Sequence, residues 1–595
     1  MIVEPVSVEF SNFADVVPLD TATGTHEHLT WQLLNLLFDH GDRKPQGMNE
    51  EEFNRLQNRK RKEELSAFWQ ALVYDDAQQH LKQAATPEEK AIAHLSCNSI
   101  ADACHVLLEG LDLRLATMIA QIGGDAAMRR DMTSQIEEWR RLDVLAEMDE
   151  SIRALYELIS GNCALSEGKI GAGRENRASS FKIGSHFKLD WRRAFGLRLW
   201  YGTMHDEPIE LAVAQFADAL RDGKEDVKPV PWFIEQKLDM GWNDPEKECR
   251  EDVLWGILKL YASSKLDLPA NIEEVLAPEN VSGHPLNARL SFLLFQVFKS
   301  RWDDPDEDEE RIVPMPTIRD SDDARSSFLS STASTAESDI QAEEPLIELG
   351  DKLTLTYAAS LHTPEHWTTA VWAYTHLSNS TMRAHYIRSL LNQFSHTYNL
   401  AESDTTFKYL AGPLQVPLTW MHAAAALEAK IKGDVLHQAT HLIKASELEE
   451  AHEVLCRKVG PNSVISRDYD ALRELLGGFL GTPPSSPTSE LSHASHAFSK
   501  KKEPVPGWSQ GGQIYFDYVE LLDLTHQRVA YRDDEDLNEQ INHLLLELQR
   551  ALEAVKKDKW ESVGLEERVA LTEIAGTVAD LTAKHKVCLL SLKTI

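Results

Sequence analysis

Apolar residues recur at helical spacing through most of this chain. Between Val416 and Ile465, Leu427, Ile431, Leu436, Leu442 and Ile443 recur near helical spacing, and the alanines Ala423–Ala426 and Ala429 leave room for close helix approach. The spacing predicts two or three stacked helices, with Gly433 and the pair Gly460-Pro461 as stops. From His28 onward the same periodicity continues almost unbroken. Helix-start signals recur along it: Thr86-Pro87-Glu88-Glu89 combines an N-cap, an early proline and a capping-box glutamate. Asp244-Pro245-Glu246 and Thr363-Pro364-Glu365 repeat the device. Roughly 20 helices of ordinary length fit the chain. No fixed-period repeat and no parallel-sheet pattern emerge, so the expected fold is all-α, an irregular helical solenoid.

Two predicted helices are apolar on nearly every face. Leu189–Tyr201 carries Trp191, Phe195, Leu199, Trp200 and Tyr201, and Val253–Ala262 carries Leu254, Trp255, Leu258 and Tyr261. Such helices are enclosed by others as core, or are partly covered by a partner on which Trp and Tyr act as anchors. Other stretches depart from the pattern. Met1–Asp20 alternates Val6, Val8 and Phe10 between Pro5 and Pro18, which predicts an extended segment. Cys163–Phe187 is Gly- and Ser-rich and reads as a long loop. Asp303–Pro345 opens with seven acids in eight residues and reads as a disordered acidic insert. Thr482–Gly507, Pro/Ser-rich, reads as a flexible linker. The expected organisation is therefore an extended segment over 1–24, helices over 25–302, the insert at 303–345, helices over 346–460, and C-terminal helices over 461–595 interrupted by the linker 482–507.

Charge narrows the classes of partner. With 61 basic and 95 acidic residues the formal charge is −34, which argues against nucleic-acid or anionic-membrane binding through a broad basic face and favours protein partners. No apolar run approaches the roughly 18 residues of a membrane span, and MIVEPVSVEF lacks the layout of a signal peptide. Six scattered cysteines without a CxxC pair read as reduced core thiols of an intracellular chain. Cys97 and Cys104, seven apart, match one helix face better than a zinc site. Gly168–Arg174 lacks the order of a phosphate loop, and no GxSxG elbow occurs. Arg59–Lys62 sits among glutamates and reads as a solvated helix face. Lys500, Lys501 and Lys502, in the linker, are the candidate basic signal. No catalytic, cofactor or metal constellation is expected, which sets aside a helical hydrolase.

RRAFGLRLWYG (Arg192–Gly202), DVLWGILKLYA (Asp252–Ala262), the VPLTWMHAA…GDVLHQATHLI block and RDYDALRELLGGF (Arg467–Phe479) together resemble the stem nucleoporins of the Y-shaped nuclear pore coat, a family of ancestral coatomer elements, in a fungal style. The resemblance implies a helical stack folded back in a U-turn. Its trunk would come from Leu29–Ile122 and Leu346–Leu455, its crown from about Asp125–Trp302 and its tail from Pro461–Ile595. It implies a non-enzymatic scaffold at the nuclear pore and nuclear envelope that supports mRNA export and protein transport. The implied partners are the crown of a neighbouring Y-complex nucleoporin, reached through Trp191, Phe195, Leu199, Trp200, Tyr201, Leu254, Trp255, Leu258 and Tyr261, a small WD-repeat propeller, and hub nucleoporins bound by the tail. The blade-completing segment of the family is not recognisable in Met1–Asp20, and no small-molecule substrate is implied. The same fold also serves vesicle-coat scaffolds of endoplasmic reticulum exit sites, the alternative reading.

Overall fold

The computed structural model describes residues 10–39, 48–169, 177–263, 266, 268, 270–303, 335–480, 504–530 and 535–592. It is 72% helical, and the strands among the described residues are the two of one short hairpin, so the class is all-α. The chain divides into two compact units, Val3–Ser360 and Leu361–Ile595 with the first two residues.

The first unit begins with a short helix, Phe10–Ala14, where an extended segment was expected. Phe10 and Phe13 are three apart, the helical rather than the strand spacing. Phe10 is buried beside Trp31, Phe38 and Phe298, with centroids 6.1–6.3 Å away, while Phe13 stacks on Trp31 at 4.5 Å. Val6 and Val8 lie outside the described residues. Helices Ala22–Phe38 and Glu50–Gln83 follow. Trp69, on the inner face of that 34-residue helix, is fully buried. The expected capping box at Thr86 is present in full: its side chain accepts from Glu89 N–H (3.2 Å), and the Glu89 carboxylate returns to Thr86 N–H. Helices Pro87–Leu95, Ile100–Glu109, Leu113–Ile119 and Glu150–Ser160 share one core through Leu95, Leu107, Leu115, Leu155 and Tyr201.

The stretch expected as a long loop, Cys163–Phe187, contains the antiparallel pair Leu165–Ser166 and Phe181–Lys182, extended by a bridge between Lys169 and Ala178, and a short helix Ile183–His186. Buried polar groups on the preceding helix explain the order. Arg153 donates to Ser179 O (2.9 Å) and Ser166 Oγ (3.1 Å), and Ser166 donates on to Glu157 (3.1 Å). A buried charge recruits backbone partners, and local periodicity carries no trace of that demand. The acidic insert is likewise shorter than expected, because a helix spanning Thr335–Ser360 reaches back into it. Its opening, TAESDIQAEE, is rich in good helix formers with acids near the N-terminus. Residues 304–334 lie outside the described residues. Asp244-Pro245-Glu246 leads only to a 3₁₀ turn, Lys247–Cys249, since Asp244 spends its carboxylate on Glu246 N–H (2.9 Å) and Arg250 (2.7 Å).

In the second unit Gly433 ends helix Leu418–Lys432 in the left-handed conformation, as expected. Thr363-Pro364-Glu365 leads into a helix that starts only at Trp367. Gly460-Pro461 is not a stop. The chain runs from Leu448–Val454 through a π turn, Leu455–Val459, into Gly460–Ser466. The wider turn accommodates the proline without ending the helix. Gly460 is required for another reason: a Cβ there would stand 2.7 Å from the Tyr515 ring. The core of this unit gathers Leu475, Trp508, Tyr515, Leu521, Ile541, Leu548 and Ile574 from the C-terminal helices. Val505, at the end of the expected linker, is already buried in it, because VPGW carries two large apolar side chains. Residues 481–503, including the basic signal Lys500–Lys502, lie outside the described residues.

Candidate protein-interaction site

The apolar helices of the first unit form as predicted, Trp191–Leu197 continuing into a π turn Arg198–Gly202, and Val253–Ser263. Eight of the nine candidate side chains, Trp191, Phe195, Leu199, Tyr201, Leu254, Trp255, Leu258 and Tyr261, are buried within the chain, and Trp200 is half-buried. Phe195 is the hub of an edge-to-face aromatic cluster, 4.9 Å from Trp69 and 6.0 Å from Phe216 and Trp255. Polar tips are tied inward: Tyr201 Oη donates to Leu95 O (3.1 Å), Trp69 Nε1 to Arg192 O (2.8 Å) and Trp200 Nε1 to Ser66 Oγ (2.7 Å). Gly196 lets the Trp200 ring fold back one turn, because a Cβ at 196 would lie 2.6 Å from that ring. Burial pushes the Tyr201 phenol well above its ordinary pKa.

Charges inside this frame are paired. Arg198 Nη2 donates to Glu225 Oε2 at 2.9 Å, and both side chains are almost wholly enclosed (3% and 0% exposed). Arg192 holds Glu235 (2.7 Å) and lies 4.0 Å from Asp252, whose carboxylate also accepts from Trp232 N–H (3.0 Å) and Leu254 N–H (2.9 Å). Burial pushes Glu235 up to about 7 and Asp252 to about 6 against the pull of Arg192. Lys62 departs from the solvated face expected of Arg59–Lys62. It is buried, donating to Thr203 Oγ1 (2.8 Å) and Met204 O, and burial lowers its pKa to about 8. Arg129 donates to the neighbouring carbonyls of Gly202 (3.1 Å) and Thr203 (2.9 Å). The two cations thus cover carbonyls at the end of the π turn, where a helix leaves acceptors unpaired. Neither demand shows in the local sequence. All these groups fix geometry, and the described residues hold no group of three or more His, Cys, Asp or Glu side chains arranged for a metal.

Exposed apolar surface appears elsewhere, at the turn between helices Ile100–Glu109 and Leu113–Ile119. Leu108, Leu111 and Leu113 are 47%, 84% and 64% exposed. Asp112 N–H donates to Leu107 O (3.0 Å), closing a helix-ending turn with Leu111 in the left-handed conformation (φ 67°). Glycine usually takes that position. Here the neighbouring Gly110 is needed where it is, since a Cβ on it would meet Pro87 at 2.8 Å. A leucine is therefore held in a costly conformation and pointed at solvent. The signal was available in the sequence as three leucines in six residues around a glycine, but its polar flanks, Glu109, Asp112 and Arg114, hid it in a helix-like pattern.

A model of the Nup96 family (nuclear protein 96) matches residues 89–428. Nucleoporin nup189 of Schizosaccharomyces pombe is 27% identical over 511 residues, covering 85% of this chain and 25% of that protein. Nucleoporin NUP145 of Chaetomium thermophilum is 28% identical over 456 residues, 77% of this chain and 20% of that protein. Nuclear pore complex protein Nup98-Nup96 of Drosophila melanogaster is 22% identical over 500 residues, 83% of this chain and 20% of that protein. The chain thus spans a quarter or less of the length of these relatives. With more than half of its residues matched by the family model, on an all-α frame braced by buried aromatic and ionic contacts, the chain belongs to the Nup96 family of nucleoporins.

Proposed function

We propose that the chain is a structural scaffold of the nuclear pore's Y-shaped coat at the nuclear envelope, supporting mRNA export and protein transport by fixing the spacing and angle of its partners. In this reading the helices over 25–302 carry the crown that meets the crown of a neighbouring Y-complex nucleoporin. The helices over 346–460 return along the trunk, and those over 461–595 form the tail that joins hub nucleoporins. A small WD-repeat propeller packs against the trunk. The aromatic helices Leu189–Tyr201 and Val253–Ala262 act as the rigid frame behind the crown contact. Its protruding anchors are Leu108, Leu111 and Leu113, which moves the start of the crown back from about Asp125 into the stretch Leu29–Ile122 that the resemblance assigned to the trunk.

The observation that carries the reading is Leu111, an 84% exposed leucine in the left-handed conformation at the tip of an apolar knuckle. A partner that covers the knuckle would take the exposed surface of three leucines out of water. The test is size-exclusion chromatography with light scattering, mixing the chain with the crown-bearing nucleoporin. A stable heteromer is expected. Leu111→Asp removes an apolar anchor and places a charge in the contact, which weakens the complex by about 100-fold. Leu111→Gly relieves the backbone, raising the stability of the free chain by about 1 kcal/mol while still weakening the complex. Unchanged binding by Leu111→Asp overturns the placement, and absence of any heteromer overturns the scaffold reading.

A further inference from the structure

In the second unit, helices Leu418–Lys432 and Val435–Lys444 pack on each other across the turn Gly433-Asp434. Each brings one histidine to the seam. His422 Nδ1 and His441 Nδ1 stand 3.1 Å apart, with ring planes 29° apart and centroids separated by 5.3 Å. Both rings are half-buried, so each still meets solvent on one side. A single proton serves the contact, one Nδ1 donating and the other accepting. Burial, the facing ring and Lys444 push His422 down to about 4. Burial, Lys444 and His437 lower His441 against the opposing pull of Asp434 and Glu428. Both imidazoles are therefore neutral near pH 7, the form in which histidine binds metal.

We propose that His422 and His441 form a two-point site for a divalent transition-metal ion of the zinc class, bound through both Nδ1 atoms and tying the two helices together. Zinc–imidazole bonds are about 2.0–2.1 Å long, so two nitrogens at the tetrahedral angle on one ion lie about 3.3–3.4 Å apart. The observed 3.1 Å is within reach of that bite by a turn of each ring. The ring that donates through Nδ1 takes its other tautomer, its proton passing through solvent to Nε2. Both lone pairs then face the ion, and the number of bound protons is unchanged. Among the described residues no third acidic, His or Cys ligand converges there, so water completes the coordination and binding is weak beside a four-ligand structural site. Imidazole pairs select zinc, nickel or copper over magnesium and calcium, which take oxygen ligands. Lys444 opposes the ion by charge, but it is exposed and its long stem can turn into solvent. The site is separate from the leucine knuckle, and its occupancy does not depend on the crown contact.

The test uses the full chain, stripped of metal by a chelator and titrated calorimetrically with zinc chloride, with magnesium chloride as the comparison. Zinc binds saturably and magnesium does not. His422→Asn and His441→Asn each weaken zinc binding by about 10–100-fold, the scale on which changes at a metal site act. Losing either arm breaks the chelate, so the double variant binds within about twofold of the weaker single variant. His205→Asn, which removes an exposed imidazole of the first unit, alters the affinity by no more than about twofold. Thermal melts without metal confirm that each variant is folded, and zinc raises the second unit's transition only when both histidines are present. Affinity unchanged by His422→Asn, or losses that add in the double variant, reduce the effect to independent surface histidines and overturn the proposal. Failure of zinc to bind, or an equal response to magnesium, overturns it as well.

Discussion

Replacing Glu225 by glutamine tests whether the buried ion pair holds the first unit together. Glu225 Oε2 accepts from Arg198 Nη2 (2.9 Å), and Oε1 accepts from the backbone N–H groups of Asp226 (3.0 Å) and Val227 (3.2 Å). A glutamine amide must turn its NH₂ toward one set or the other, so a donor faces a donor in either orientation. Arg198 would keep Ala194 O (2.7 Å) and the Phe216 ring (4.8 Å to the centroid) but lose its counter-charge in a site closed to water. Breaking a buried pair from one side costs about 3–5 kcal/mol. The unit spans Val3–Ser360. At about 2.1 cal/mol/K per residue over about 350 residues, its unfolding entropy near the midpoint is about 0.75 kcal/mol/K, so its calorimetric transition should fall by about 4–7 °C. The companion variant Arg198→Met/Glu225→Leu removes both charges and should recover most of that loss. A shift below about 1 °C for Glu225→Gln, or a double variant as unstable as the single one, would refute the reasoning.

Other expectations concern separate sites. Burial pushes Asp517 up to about 7, opposed by a hydrogen bond from Gln513 and reinforced by Glu547. The folded state therefore holds this proton to higher pH than the unfolded chain, which releases it near about 4, and stability falls as pH rises between about 4 and about 7. Asp517→Asn should raise the second unit's transition at pH 8 and leave it unchanged at pH 4; an equal gain at both would dismiss the titration. Gly460→Val places side-chain carbons against the Tyr515 ring and should cost about 1–3 kcal/mol in the same unit, read by chemical denaturation. Thr86→Ala should cost about 1 kcal/mol and raise hydrogen exchange at the start of helix Pro87–Leu95, while Thr86→Ser keeps the cap.

Local signals revealed what local physics controls. The capping box at Thr86, the left-handed stop at Gly433 and both all-apolar helices follow from residues within a turn or two of one another. The failures share a non-local cause. Phe10 is helical because Trp31, Phe38 and Phe298 receive it, and Lys62 is buried because Thr203 and Met204, some 140 positions away, supply acceptors at the end of a π turn. The hairpin after Glu150–Ser160 exists to satisfy Arg153 and Glu157. The candidate contact residues illustrate the same limit: periodicity found the aromatic side chains that must be hidden, but not what hides them. The exposed leucines stand in the sequence too, but polar neighbours mask them as an ordinary helix pattern. What marks them is a backbone angle, set by the need of Gly110 to approach Pro87.

The helix Glu50–Gln83 has a geometric consequence of its own. At 1.5 Å per residue its 34 residues make a rod about 50 Å long. A rod of that length is a lever: one degree of tilt displaces its far tip by about 0.9 Å, a large fraction of the tolerance of a close-packed contact. Trp69, clamped mid-rod against Trp191 and Phe195 and tethered to Arg192 O, shortens each free arm. In the scaffold proposed above, where each piece would set the bearing of the next, angular error would accumulate with every piece. Under that proposal, the position of one indole along the rod would bear on how closely successive pieces could be made to fit.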